Sequence, residues 1–150
     1  MNTELSNANQ LRDRADSGDV AHWLWHGGQR LRGVEVLTSG SFEHGGGLIS
    51  VLHHGVELYL KGYLLAHGWQ QEKTKNLVKL LNAAIRFDPR FESFHDALAE
   101  LNRDFRLTNY PGGDWRKVSD HFDFQRQKAK ELAVLIRASL PQFFPPPPTN

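Results

Sequence analysis

Arg116 and His121 stand with four residues between them in the polar stretch "FRLTNYPGGDWRKVSDHFDF", Phe105 to Phe124. An imidazole can take the proton from a ribose 2'-hydroxyl, and a guanidinium can stabilise the charge that builds on the phosphorane. The pair therefore has the residue types needed to cut a phosphodiester without a metal. Spacing decides whether the two groups meet. On one continuous helix, five steps of about 100° leave the side chains about 140° apart. They converge only if a helix begins between them, with Ser119 as its cap, Arg116 in the preceding loop and His121 in the first turn, where the positive helix end favours neutral imidazole. A plainer use is an ion pair between Arg116 and Asp120, four apart on a solvated face and contributing about 0.3 kcal/mol. That pair is the expectation, and catalysis the alternative.

Arg126, Lys128, Lys130 and Arg137 make the last predicted helix basic, and Tyr110 and Trp115 lie just upstream; aromatic and basic groups together can stack bases and hold phosphates. Asp114, Asp120, Asp123 and Glu131 dilute that charge, so a solvated helix face is the commoner explanation. His22 and His26 in "HWLWH" are one helical turn apart, yet no acidic residue stands between them and no third ligand is evident. No metal and no cofactor are expected. His53 and His54 are adjacent and point in different directions, one toward the core edge and one toward the surface. Glu57 and Lys61 are correctly ordered for a helical ion pair.

These groups need a scaffold, and the hydrophobic spacing supplies helices. "VAHWLWHGGQRLRGVEVL", Val20 to Leu37, carries apolar residues mostly three or four apart despite Gly27 and Gly28. "LISVLHHGVELYLKGYLLAHG", Leu48 to Gly68, is the richest apolar segment and closes on glycine, which predicts the central helix. "KTKNLVKLLNAAIRF" predicts a third helix, broken by "DPRF", and "FESFHDALAELNRDFRL" a fourth, ended by "NYPGG". "FDFQRQKAKELAVLIRASL" predicts a fifth after Ser119. No segment alternates as a strand would. The expectation is an all-α, antiparallel up-and-down bundle over residues 20–140, preceded by a polar arm at 1–19 and followed by a Pro-rich tail at 141–150 of extended, polyproline type. Leu58, Leu60, Tyr63, Leu64 and Leu65 cannot share one narrow stripe, which predicts a second face and a homodimer.

Composition narrows the function classes. At 150 residues, 39% hydrophobic and 23% charged, the chain suits one domain with one core. Eighteen basic residues against seventeen acidic leave a net charge of +1, too little for an avid duplex-DNA binder, so any nucleic-acid contact is local. The lack of cysteine excludes disulfides and thiolate chemistry. The polar start and the absence of a long apolar run predict a soluble, cytoplasmic protein with no membrane partner.

Three steps in order carry a resemblance. "VLHHGVELYLKGYLLAHG", then "KTKNLVKLL", then "DPRFESFHDALAELNRDFRLTNYPGG" resembles the HEPN domain (higher eukaryotes and prokaryotes nucleotide-binding). Glu57 with Leu60, Lys61 and Gly62 matches a Glu and Leu-Lys-Ala-like step. Lys75, Asn76 and Leu77 match a Lys-Thr-His-Asp-Leu-like step, and Asn109, Tyr110 and Pro111 an Arg-Tyr-Pro turn. Asn109 replaces the family's arginine, and the nearest arginine is Arg106, about one turn upstream. The resemblance implies a helical domain that binds nucleotide or RNA, dimerises, and serves in a conflict or toxin-antitoxin type system. Arg106, Asn109, Tyr110, Trp115, Arg126 and Lys130 are the implied ligand-binding candidates. Many such domains resemble one another in an Arg followed after four to six residues by His, which Arg116 and His121 fit as the catalytic candidates of a metal-independent ribonuclease. A third implied role is binding a separately encoded minimal nucleotidyltransferase.

Overall fold

The structure, a computed structural model, describes residues 19–38 and 46–144. It is an all-α bundle: α1 (Val20–Thr38), α2 (Gly46–Ala66), α3 (Leu77–Phe87), α4 (His95–Asn109) and α5 (Phe122–Ser139), with 3-10 turns at Pro89–Phe94, Trp115–Lys117 and Pro141–Phe143. Most of the expected arm and the end of the expected tail, residues 1–18 and 145–150, lie outside the described residues. The start of the tail departs from the extended form expected. Pro141 suits the first position of a 3-10 turn, and Phe143 N donates to Leu140 O at 3.1 Å.

Local chemistry sets where the other helices begin. Asn76 Oδ1 accepts from the backbone N–H of Val78 at 3.1 Å and of Lys79 at 3.3 Å, so α3 starts at Leu77 rather than at Lys73. Asp88 Oδ1 accepts from Arg90 N at 3.0 Å with Pro89 next to it, and this winds the chain through a 3-10 segment before α4 becomes regular at His95.

α2 is the axle of the bundle and packs on α1, α3, α4 and α5. Leu52, Val56, Tyr59, Leu60, Tyr63 and Leu64 are buried along it, and Leu58 is buried too. Of the five residues from which a second face and a homodimer were expected, Leu58, Leu60, Tyr63 and Leu64 are thus covered within one chain, because helices pack on several sides of α2, and Leu65 is half-buried. α1 approaches closely: a Cβ on Gly27 would stand 2.7 Å from Tyr59 Cδ2 and 3.2 Å from Gly55 O, so only glycine fits that crossing. Glu57 and Lys61 pair as expected, at 3.0 Å, but inside the bundle, each 6% exposed, with Lys61 Nζ 5.5 Å from the centre of the Trp23 ring. His53 is buried and stacks on Phe105 with centroids 3.8 Å apart, while His54 is half-buried. No described helix is long and apolar enough to cross a membrane.

Candidate nucleic-acid interface

The connection from α4 to α5 carries Arg116 and His121, and a short series of turns shapes it. Tyr110, Pro111, Gly112 and Gly113 form a tight reversal in which Gly113 N donates to Tyr110 O at 3.1 Å and Gly112 takes φ +94, the left-handed value that a type II turn needs at its third residue. Asp114 then opens the 3-10 turn, its carbonyl accepting from Lys117 N at 3.0 Å. Its carboxylate turns back on Arg116, accepting from the backbone N at 3.1 Å and from Nε at 3.0 Å. The expected pair of Arg116 with Asp120 does not form, since the chain leaves helical geometry between them and Asp114 is nearer.

Beyond that turn the chain is gripped by two carboxylates one turn apart on α4, Glu100 and Asp104. Asp104, 1% exposed, accepts from Ser119 N at 3.1 Å, from Ser119 Oγ, and from Gln125 Nε2 at 2.9 Å. Glu100 Oε1 accepts from Ser119 Oγ at 3.1 Å and Gln125 Nε2 at 2.9 Å, and lies 2.9 Å from His121 Nδ1. Ser119 is therefore a fastener to α4 and not the cap of α5. His121 holds the cap position and makes no side-chain cap bond.

The electrostatics of His121 follow from this grip. The hydrogen bond to Glu100, then the charge of the same carboxylate, raises the imidazole pKa above its usual 6.5. The shift runs opposite to the one expected from the helix end, because a carboxylate at hydrogen-bond distance acts more strongly than the partial charge of a helix terminus. Burial pushes Glu100 up, but hydrogen bonds from His121, Gln125 and Ser119 outweigh it and leave the carboxyl below its ordinary range. Nδ1 is committed to Glu100, and Nε2 stands 3.4 Å from the fully exposed Asp120 carboxylate. No hydrogen bond joins Arg116 to His121; each is tied to its own carboxylate, with side chains 74% and 56% exposed.

The remaining candidates divide. Arg106 is exposed on α4 and meets no carboxylate among the described residues, and Tyr110 is 57% exposed beside the turn. Asn109 is a structural clamp: its Oδ1 accepts from Ser50 Oγ at 2.8 Å and its Nδ2 donates to Phe105 O at 2.9 Å, tying α4 to α2. Trp115 opens the 3-10 turn, and its side chain lies outside what is described. Arg126 is not displayed for a phosphate. Its Nη1 is 3.0 Å from both oxygens of Glu35 on α1, and Lys130 also reaches Glu35 at 3.5 Å. His22 and His26 face each other, Nε2 to Nε2 at 2.8 Å, and no group of three or more metal-ligating side chains occurs among the described residues.

Glu100, Asp104 and Gln125 escaped the sequence reading of this site. A signal was present: Asp104 and Gln125 fall on the apolar stripes of α4 and α5, where a polar residue needs a buried partner.

No curated protein and no solved structure matches the chain. The HEPN domain family does, over residues 47–136, a stretch that runs from α2 into α5 and takes in the carboxylate grip together with Arg116 and His121. With well over half of its length and the whole candidate interface inside that match, the chain belongs to the HEPN domain family.

Proposed function

We propose that this HEPN domain binds RNA or nucleotide phosphate at the turn between α4 and α5, through His121 and Arg116, without cutting it. The observation that carries the proposal is the 2.9 Å contact of His121 Nδ1 with Glu100 Oε1, which stabilises the imidazolium over the neutral ring. An imidazolium donates to a phosphate oxygen; it cannot accept the proton of a 2'-hydroxyl. Arg116, held at Nε by Asp114, adds a guanidinium on the same exposed turn. The wider role belongs to the same proposal and rests on family membership: one partner in a conflict or toxin-antitoxin type system, working as a homodimer or beside a minimal nucleotidyltransferase. The absence of a strong net charge fits a local, salt-sensitive contact.

Fluorescence anisotropy with a short single-stranded RNA, read at stepped salt, tests the binding. His121→Ala and Arg116→Ala should each weaken it by about threefold to tenfold and lower the salt slope by about one ion. Raising the pH from about 6 to about 8 should also weaken wild-type binding as the imidazolium loses its proton. Variants that bind as tightly as the wild type would refute the proposal.

One observation favours a second reading, a metal-independent ribonuclease. A carboxylate on Nδ1 fixes the ring, with Nε2 on the far side 3.4 Å from the exposed Asp120 carboxylate, and a ring held at Nδ1 is how a histidine is oriented for acid-base chemistry. Such an enzyme would cut RNA in chelator and leave a cyclic phosphate, and a deoxy substrate would be inert.

A further inference from the structure

Between α1 and α5 two cavities adjoin, of about 580 and 290 Å³, and Gly28, Arg32 and Arg137 line both. The two arginines therefore stand at the waist of one groove. Its larger end is aromatic, with Trp25, Tyr59, Phe143 and Phe144, and no acidic residue lines that end. The smaller end holds Glu35, already engaged by Arg126 and Lys130.

The arginines differ from the other cations of α5. Lys128 pairs with Glu131 at 3.1 Å, and Arg126 and Lys130 with Glu35. Arg32 is exposed and meets no carboxylate among the described residues. Arg137 Nε donates to Tyr59 Oη at 3.1 Å, and its guanidinium lies 5.9 Å from the Tyr59 ring centre and 5.6 Å from that of Phe144. The bond to Tyr59 and the two neighbouring rings hold the guanidinium in place and leave both Nη groups without a partner among the described residues. Trp25, 60% exposed, offers an indole beside them. A fixed guanidinium fork suits a phosphate, an open aromatic surface suits a base, and the groove has the size of a small-molecule site, about 300–1,000 Å³.

We propose that this groove binds one nucleotide unit, its phosphate between Arg32 and Arg137 and its base against the aromatic end, where Gln29 supplies an amide for the base edge. Trp25, Arg32, Arg137 and Phe144 lie outside the family-matched residues 47–136, while Tyr59, Lys130, Ala133 and Val134 of the same groove lie inside them. It is separate from the turn that carries His121. The unit is either a free nucleotide or the end of an RNA strand, and the two sources share the chemistry.

Calorimetric titration of the full chain with AMP, adenosine, inorganic phosphate and a short 5'-phosphorylated RNA tests the groove. AMP should bind saturably, and adenosine and phosphate at least about tenfold more weakly, because each fills one end only. Arg32→Glu should weaken AMP at least about tenfold, and Arg137→Lys, which keeps the charge but loses the fork, at least about fivefold. Far-ultraviolet circular dichroism confirms that each variant is folded. If the 5'-phosphorylated RNA displaces AMP and the dephosphorylated strand does not, the natural occupant is a strand end; if neither displaces it, a free nucleotide. In the His121→Ala background AMP binding should still fall at least about tenfold when Arg32→Glu is added, so that failure at the turn and failure at the groove are told apart. No saturable AMP binding up to about 10 mM, or binding indifferent to both arginine variants, would overturn the proposal.

Discussion

Replacing Asp104 by alanine probes the grip that holds the candidate interface in place. In the wild type its carboxylate, 1% exposed, accepts from Ser119 N, Ser119 Oγ and Gln125 Nε2. Alanine removes all three bonds, but Ser119 Oγ and Gln125 Nε2 keep Glu100 Oε1 at 3.1 and 2.9 Å, so only the Ser119 amide loses its one partner. An orphaned amide costs about 1–3 kcal/mol, and the two lost bonds to a charged acceptor add to it. Removing a buried carboxylate returns part of that through the desolvation no longer required. The net expectation is a loss of about 2–3 kcal/mol. With a urea slope of about 1–3 kcal/mol per M, the unfolding midpoint should fall by about 1–2 M at unchanged slope. Asp104→Asn keeps an acceptor for the Ser119 amide and should lose about 1 kcal/mol. Hydrogen exchange at Ser119 should quicken in the alanine variant more than exchange in α2. An unfolding free energy within about 0.5 kcal/mol of wild type would mean that the carboxylate does not hold the turn.

Other perturbations separate the remaining interactions. Glu57→Ala strands the buried Lys61 ammonium and should cost about 3–5 kcal/mol in urea unfolding, whereas Glu57→Leu with Lys61→Met should fall much nearer wild type. Gly113→Ala should displace the turn, because its Cβ would stand 2.9 Å from Leu107 O, and amide chemical shifts of residues 107–119 should move well beyond those of α3. Proton NMR of the imidazoles should show His121 titrating above 6.5 and His53 below it, since the Glu100 hydrogen bond holds the proton on the first and burial expels it from the second. The signs for stability follow. The raised pKa of His121 makes its pairing contribute fully below about 6.5 and fade as pH rises through the raised value, while burial of neutral His53 contributes above about 6.5 and fades as pH falls. Glu100→Gln should return His121 toward its ordinary pKa; an unchanged titration would remove Glu100 as the cause.

The helices were legible because apolar residues recur every three or four positions, and α1, α2 and α5 begin and end within about two residues of the sequence expectation. Boundaries set by one side chain were less so: Asn76 capping α3 and Asp88 with Pro89 starting a 3-10 segment are decided by local geometry that periodicity does not encode. At the site, the sequence offered Arg116 and His121 but not their partners. Glu35 lies far from Arg126 in the chain, and Glu100 far from His121, so both pairs arise from how helices pack. The Arg116–Asp120 pair failed because spacing rules for helices do not apply across a turn. A polar residue on an apolar stripe, as at Asp104 and Gln125, was the readable trace of the buried network.

The most direct test of the central claim is incubation of end-labelled single-stranded RNA with the purified wild-type protein in excess chelator, with binding followed on a native gel and chain length on a denaturing one. The proposal predicts a shifted complex whose RNA stays full length, with the shift weakened in His121→Ala. Shortened products ending in a cyclic phosphate, present with the wild type and absent with His121→Ala, would contradict it and make the turn between α4 and α5 the active site of a ribonuclease.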